Sequence, residues 1–191
     1  ADQMTAITQI ANKIEGYGKA MDTIINVVIK RSYEGDWVCH DKESTPLEER
    51  KANIGAAAAE RIAAFLGIQE ANWTRGIKEW SDDEKHFTWI YEADFTFGKR
   101  TIHAIGKAGT RDKFFGFADG QWKALEDVQE DHIRTAAFRA CRKEGVRQAL
   151  GLRSIPLLKL KELGYDINKI KLAGFKDTGK ALSAEQKKAD S

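Results

Sequence analysis

The sequence predicts an α+β fold in which a three-stranded antiparallel β-meander packs on helices, with a further helix at the N-terminus. Two long segments have helical spacing of their apolar residues, and an alternating segment at 87–97 lies between them. A short turn at Gly98-Lys99 then joins that segment to another extended one. Because no helix separates these strands, we expect an antiparallel β-β-β-α core rather than a doubly wound parallel sheet.

The first predicted helix covers residues 3–30. Its apolar residues keep helical spacing at Ile7, Ile10, Ile14 and Tyr17, and the spacing resumes over residues 21–28. Gly16 and Gly18 are expected to break or bend this helix because glycine destabilises helix interiors.

A second helix is predicted over residues 45–66. Thr45 can cap its N-terminus, Pro46 suits the first helical position, and Glu48 completes a capping box. Its expected buried stripe consists of Ile54, Ala58, Ile62, Phe65 and Leu66. Gly67-Ile68 has the pattern of a helix C-cap with its hydrophobic contact.

Three strands are predicted next, over residues 73–80, 87–97 and 100–107. The second strand alternates apolar and polar residues, which is typical of a strand with one buried face. A polar turn at residues 81–84 separates the first two strands, and the glycine-rich residues 108–127 are expected to form a loop.

A long helix is predicted over residues 130–150, ending at Gly151. Helical spacing places its small and apolar residues on one side, with Arg134 toward that side. Its basic arc is Arg139, Arg142, Lys143 and Arg147. A short helix at 155–163 would follow, with Gly164 as its stop. We expect one domain over residues 1–153 and a short helical appendage with a frayed tail over 154–191.

The composition favours a soluble protein of a reducing cytoplasm. The 191 residues contain no apolar run long enough to span a membrane, no signal-peptide pattern at the start, and two cysteines.

The net charge of +2 is unevenly distributed. Residues 1–98 carry 11 Lys and Arg against 17 Asp and Glu, whereas residues 99–191 carry 20 against 12.

The basic second half indicates a surface for a polyanion, and nucleic acid is the main candidate. Cationic side chains on one helix face can neutralise successive phosphates without reading sequence. The candidate contacts are Arg139, Arg142, Lys143, Arg147, Lys99, Arg100, Lys107, Arg111 and Lys113. An ordinary solvated helix face is the alternative interpretation of the same charges.

The sequence gives no positive indication of catalysis, a metal or a cofactor. The acidic turn at 82–84 is typical of a solvated turn, and Cys39, His40, His132 and Cys141 have no known zinc-ligand spacing. Residues 174–180 match the first seven positions of a phosphate-binding loop. Ala181 replaces the Ser or Thr that would bind magnesium, so we predict no nucleotide site there.

The order of these elements resembles the Rad-fifty-two-type superfamily of single-strand annealing proteins, which includes DdrA-like and phage annealing proteins. The resemblance covers residues 54–153. It includes Phe65-Leu66-Gly67-Ile68, Trp73, Ile105-Gly106 and the run Glu144-Gly145-Val146-Arg147-Gln148-Ala149-Leu150. This run is similar to the acidic-Gly-aliphatic-basic-basic-Ala-Leu run in the family's helix after the sheet.

The resemblance implies that Arg147 stands where the family has a DNA-contacting lysine, and that Lys113 lies near a second one. Gln148 replaces a family arginine, so one expected phosphate contact is absent or moved. It also implies rings or helical filaments, a basic groove for single-stranded DNA, and ATP-independent annealing in homologous recombination and DNA repair. No enzyme activity, cofactor or membrane contact is expected, and the resemblance implies the cytoplasm of a bacterium or of a phage-infected host.

Two other interpretations remain open. A double-stranded-RNA-binding domain has the same order of helix, three strands and helix. Here the last helix begins with Asp131-His132-Ile133-Arg134 rather than a lysine pair. A protein assembly or scaffold role, in which the charges serve subunit contacts only, is the second alternative.

Overall fold

The computed structural model describes residues 2–42, 44–152 and 154–173 of a chain that divides into two compact units. Residues 2–32 and 56–152 belong to the first unit, and residues 33–55 and 154–173 to the second. Residues 33–55, predicted as part of a domain over 1–153, thus group with the C-terminal segment. The match of residues 174–180 to a phosphate-binding loop and the predicted frayed tail both lie outside the described residues.

The helices and strands are numbered here in chain order. They are α1 (Asp2–Lys30), β1 (Trp37–Cys39), β2 (Lys51–Ile54), α2 (Ala56–Leu66), β3 (Gln69–Ala71), β4 (Ile77–Trp80), β5 (Phe87–Phe97), β6 (Arg100–Gly109), α3 (Lys113–Gly116), β7 (Phe117–Ala118), β8 (Gln121–Trp122), α4 (Glu130–Ala149), β9 (Ile155–Pro156), α5 (Leu157–Glu162) and β10 (Lys171–Leu172). This order makes the protein α+β, as predicted.

The main sheet of the first unit is centred on β5. Strand β6 pairs antiparallel with β5 over its whole length, from Thr88↔Gly109 to Phe97↔Arg100. On the other side, β4 pairs with the first part of β5 and β3 with its last part. The prediction of a three-stranded meander is therefore wrong in detail, because the sheet has four strands.

The predicted strand over 73–80 is shortened to β4 and preceded by β3 because the backbone between them leaves the extended region. Asn72 and Gly76 have φ values of 54° and 87°, which belong to the left-handed region. These two positions break one long strand into two short ones, both of which pair with β5.

Helix α4 covers one face of this sheet. Its buried residues recur every four positions at Ile133, Ala137, Cys141 and Gly145. They pack on the face that carries Ala93 and Phe95 in β5 and Ala104 and Gly106 in β6. The approach is close, since a Cβ on Gly106 would overlap the backbone nitrogen of Cys141 and the carbonyl oxygen of Ala137. The predictions of the strands 87–97 and 100–107 and of the helix 130–150 are confirmed.

Helix α1 is continuous through Gly16 and Gly18, so the expected break is absent. Its C-terminal part is buried at Val28 and Ile29. Residues 4–20 are exposed, including every apolar side chain of that segment. The interior glycines lower the intrinsic stability of a helix without interrupting its hydrogen bonds.

The predicted helix over 45–66 is wrong in its first half. Two single turns, from the amides of Glu49 to Pro46 and of Arg50 to Leu47, replace the capped helix start. Strand β2 follows, with Ala52 and Ile54 buried in alternation. The helix α2 begins only at Ala56.

The C-terminal end of α2 agrees with the prediction, but its buried stripe does not. Gly67 has a φ of 70°, and the Ile68 amide donates to the Ala63 carbonyl at 2.9 Å. This six-to-one bond is the Schellman arrangement. Phe65, predicted as buried, is exposed. The residues buried from α2 are Ala58, Ala59, Ile62 and Ala63.

The second unit contains a four-stranded sheet in the order β10-β1-β2-β9. Strand β1 is parallel to β10 and antiparallel to β2, and β9 is antiparallel to β2. Trp37 and Cys39 of β1 are fully buried. None of these short strands is predicted from the sequence, although α5 lies within the predicted helix over 155–163.

Candidate nucleic-acid interface

The outer face of α4 is basic. Its buried residues face the sheet, so the arc on the far side presents His132, Arg139, Lys143 and Arg147. Among the described α4 residues, the acidic ones at Glu130, Asp131 and Glu144 fall outside this arc. Arg139 is exposed and Lys143 is partly exposed. Within the described part of the chain, neither side chain forms a hydrogen bond or salt bridge, so both cationic groups face solvent.

Arg142, predicted as a nucleic-acid contact, is bound within the chain. Its Nη1 lies 2.7 Å from Glu60 Oε1, and its Nε donates to Glu70 Oε2 at 3.1 Å. The guanidinium also lies over the ring of Phe138, 5.0 Å from its centroid. The side chain is 22 % exposed. Arg142 therefore joins α2, β3 and α4, with its charge compensated by two carboxylates.

Arg147, the residue that the resemblance places at a DNA-contacting position, is held by Glu144. Its Nε and Nη2 donate to the two carboxylate oxygens of Glu144 at 2.9 and 2.6 Å, a bidentate pair. Its Nη1 donates to the Leu152 carbonyl. The pKa of the Glu144 carboxyl is lowered, chiefly by the hydrogen bond from Arg147, with a smaller contribution from Gln148.

Arg134 lies toward the sheet, as its position on the helix predicted. Its Nε donates to the Tyr91 hydroxyl at 2.8 Å, and its guanidinium lies over the Trp89 ring. Glu130 accepts hydrogen bonds from Trp89 Nε1 and from Lys78 Nζ. This end of α4 is therefore fixed to β4 and β5 by polar contacts.

The other predicted cations lie at three separate places. Lys99 and Arg100 form the β5–β6 hairpin end, toward which the C-terminal part of α4 extends. Lys107 pairs with Ile90 and lies on the sheet face opposite α4. Arg111 and Lys113 follow the far end of β6, about 30 Å from the hairpin turn for a strand of this length. The structure thus does not bring all nine predicted contacts into one patch.

An exposed aromatic segment accompanies the cations at the far end of β6. Residues 111–123 contain α3 and the small hairpin of β7 and β8, where a loop was predicted. Phe114 is 85 % exposed and Trp122 is 49 % exposed. The Lys113 ammonium lies 5.8 Å from the centroid of the Phe117 ring. Exposed rings beside cations suit the stacking of unpaired bases.

Phe114 is not among the candidate contacts that the sequence predicts. The available signal was the pair Phe114-Phe115 directly after Lys113 in a polar, glycine-rich stretch. Phe115 is partly buried, and its ring lies edge-on to that of Phe114. Phe114 is therefore the ring of this pair that is exposed to solvent.

The sheet face opposite α4 carries a polar cluster of a different character. His103 Nδ1 lies 2.8 Å from Asp94 Oδ1, and Asn72 Nδ2 donates to Asp94 Oδ2. Glu92 lies 3.6 Å from the other ring nitrogen of His103. The hydrogen bond to Asp94 is the main reason that the pKa of His103 is raised. The acidic groups make this face unsuited to phosphate.

The two cysteines are buried thiols in different units. Cys141 donates its thiol hydrogen to the Ala104 carbonyl, and burial raises its pKa to about 11. In the ranges that the structure describes, no three His, Cys, Asp or Glu side chains are grouped as a metal site would need. Across the same ranges, no helix is long and apolar enough to cross a membrane.

A comparison with protein-family models finds none that matches this chain, and a comparison with curated proteins finds no match.

Proposed function

We propose that this protein binds single-stranded DNA along the outer face of α4 and anneals complementary strands without ATP, as a homo-oligomer acting in recombination and repair. The observation that carries the proposal is the pair Arg139 and Lys143. Both lie on a helix face without acidic residues, and neither forms a hydrogen bond or salt bridge within the described chain. The element order and the run at 144–150 add the family resemblance described above.

The spacing of the two side chains suits a phosphate backbone. Residues four apart on a helix are separated by about 6 Å along its axis. Cations at that spacing can contact successive phosphates and release their counterions, which makes binding independent of sequence and sensitive to salt. Annealing requires this neutralisation because two anionic strands must approach each other.

The exposed ring of Phe114 favours single strands over duplexes. A ring that is 85 % exposed beside Arg111 and Lys113 can stack on an unpaired base, whereas paired bases in a duplex are already stacked. We expect Phe114→Ala to weaken single-strand binding and to leave duplex binding unchanged. Fluorescence anisotropy with matched single and double strands measures both, and equal losses on the two substrates would contradict the preference.

The test of the proposal compares two double variants in salt titrations of single-strand binding. Arg139→Ala with Lys143→Ala removes the two solvent-facing cations of α4. Lys85→Ala with Lys161→Ala removes the same charge from exposed positions elsewhere. We expect the α4 variant to weaken binding and to reduce the slope of log affinity against log salt by about 1.4, at about 0.7 per phosphate contact.

The control pair should leave affinity and slope unchanged, and the wild-type protein should speed duplex formation from complementary labelled strands without ATP. Equal behaviour of the two double variants would refute the α4 surface. Binding without faster annealing would refute the annealing activity alone. A preference for duplex RNA over single strands would favour the double-stranded-RNA alternative instead.

An assembly role is the second candidate, because half of the predicted basic arc is already engaged within the chain. Arg142 and Arg147, half of the predicted basic arc, have their charges compensated by Glu60, Glu70 and Glu144. Charges used in this way stabilise the protein instead of recruiting a polyanion. Under this interpretation, DNA binding would be absent even at low salt.

A further inference from the structure

The N-terminal part of α1 is an amphipathic helix whose apolar side is uncovered. Met4, Ile7, Ile10, Ile14 and Tyr17 are 58 to 74 % exposed. They span 14 residues, or about 20 Å of helix. Monomeric soluble proteins rarely leave a continuous apolar stripe of this length facing water, and such stripes mark interaction surfaces.

The spacing of these residues identifies the kind of surface. Ile7, Ile10, Ile14 and Tyr17 alternate steps of three and four, and Met21, Ile24 and Val28 continue the same alternation. This is a heptad repeat of 3.5 residues, with isoleucine and other large apolar residues at both a and d. We call residues 7, 10, 14, 17, 21, 24 and 28 the α1 seam.

The C-terminal part of the seam already packs against other residues of the same chain. Val28 is fully buried, and Met21 packs so close to Gly151 that a Cβ there would lie 2.6 Å from the Met21 Cε. Only the four N-terminal positions of the seam lack a cover among the described residues. The uncovered part is therefore a continuation of an interface that exists within the chain.

The helix itself needs a partner. Residues 4–20 include two glycines and several β-branched residues, which are poor helix formers in isolation. A projecting segment of this length is marginally stable as a lone helix, because most helix stability comes from packing of the apolar side. A continuous α1 thus implies an apolar contact along the seam.

We propose that the exposed part of the α1 seam packs against the same seam of a second copy of this chain, forming a two-helix coiled coil. Four of the six flanking e and g positions carry small residues, Ala6, Ala11, Gly18 and Ala20, which permits a close approach; the other two are Met4 and Lys13. The helix surface away from the seam is polar, with Gln9, Asn12 and the ion pair of Glu15 with Lys19.

Two other occupants fit the residues less well. An interfacial helix that lies on a membrane carries many Lys and Arg on its polar face, whereas residues 4–20 carry two Lys and one Glu. The C-terminal residues 174–191 contain only Phe175 and Leu182 as large apolar side chains. Two such residues cannot match four consecutive seam positions.

The test is the mass of the full chain in solution, measured by light scattering over a range of concentrations. The variant Ile10→Lys with Ile14→Lys puts two charges into the seam, and Gln9→Lys with Asn12→Lys puts the same charges on the polar side. We expect the wild type and the polar-side variant to have an even multiple of the 21.4 kDa chain mass. The seam variant should have half that mass.

Hydrogen exchange separates this interface from any other oligomer contact. Amides of residues 7–17 should exchange about tenfold more slowly in the wild type than in the seam variant at equal concentration. A monomeric wild type, or a seam variant of unchanged mass, overturns the proposal. So does a monomer whose residues 7–17 become protected only on vesicles of anionic phospholipid. The proposal does not depend on nucleic-acid binding, since Arg139 and Lys143 lie on another helix.

Discussion

Replacing Arg142 by alanine should cost stability rather than nucleic-acid affinity. Its bond to Glu60 involves an exposed carboxylate and contributes about 0.5 kcal/mol, in the range of surface pairs. Its bond to Glu70, a side chain only 19 % exposed, is a charged hydrogen bond that contributes about 1.5 kcal/mol. The contact with the Phe138 ring adds about 0.5 kcal/mol. The expected loss is therefore about 2.5 kcal/mol in the free energy of unfolding.

Urea denaturation with an unchanged m-value measures this loss. For a chain of this size it corresponds to a fall in Tm of about 5 to 10 °C. At 25 °C the variant should remain folded, since domains are stable by about 5 to 15 kcal/mol. Its affinity for single-stranded DNA and its salt slope should then equal those of the wild type. Arg139→Ala is the matched control, with stability within about 0.5 kcal/mol of the wild type and weaker binding.

The opposite pattern would refute this reasoning. If Arg142→Ala kept its stability and reduced the salt slope as much as Arg139→Ala, the guanidinium would face the ligand and the bonds to Glu60 and Glu70 would be dispensable. Arg142 would then contact DNA, as predicted from the sequence.

Three further predictions concern packing and titration. Gly106→Ala should destabilise the protein by about 3 kcal/mol, because the new methyl group would overlap the backbone of α4, whereas Gly16→Ala should stabilise it by up to about 1 kcal/mol. Urea denaturation of both variants checks the contrast. His103 should titrate above its ordinary pKa of 6.5 in NMR, and Asp94→Asn should lower that pKa, since the hydrogen bond to Asp94 is the largest cause of the shift. Because this pKa is raised on folding, its contribution to stability is complete below about pH 6.5 and is lost as the pH rises through the folded-state value. Cys141 should resist thiol reagents at pH 8 in the native protein and react after unfolding, since its thiol is buried with a pKa of about 11.

The parts of the fold that could be predicted from the sequence are those with a strong local signal. Strand β5 alternates at ten of its eleven residues, with Ile90 as the exception, and α4 keeps helical spacing over twenty, so both bounds agree with the structure to within a residue. Strand β2 shows the limit of that approach. Its four residues follow a capping-box sequence and become a strand only through pairing with β1 and β9. Non-local pairing of this kind leaves no periodic pattern in a short segment.

The same limit applies to the candidate site. The helical wheel placed four cations on one arc of α4, and it placed Arg134 correctly toward the sheet. It could not show that Arg142 is compensated, because Glu60 and Glu70 are 82 and 72 residues away in the chain. Which cations face solvent depends on tertiary contacts, and the structure leaves Arg139 and Lys143 in that position.

The run at 144–150, on which the family resemblance depends most, has a structural explanation at each of its main positions. Gly145 lies so close to Phe95 that a Cβ would overlap the ring. Val146, Ala149 and Leu150 are buried. Glu144 accepts hydrogen bonds from both Arg147 and Gln148. The packing of α4 therefore explains the residues of this run without any ligand. A role of the run in DNA binding needs a test that separates the effect of charge from the effect of packing.

Glu144→Gln provides that test. The amide oxygen can still accept a hydrogen bond from Arg147, but the negative charge that compensates the guanidinium is removed. If Arg147 contacts DNA phosphate, as the resemblance implies, the variant should bind single strands more tightly, with a salt slope steeper by up to about 0.7. Glu15→Gln releases Lys19 on α1 by the same change of charge and should leave the slope unaltered. If the Glu144→Gln variant is less stable but has wild-type affinity and slope, Arg147 stabilises the C-terminal end of α4 and does not contact DNA.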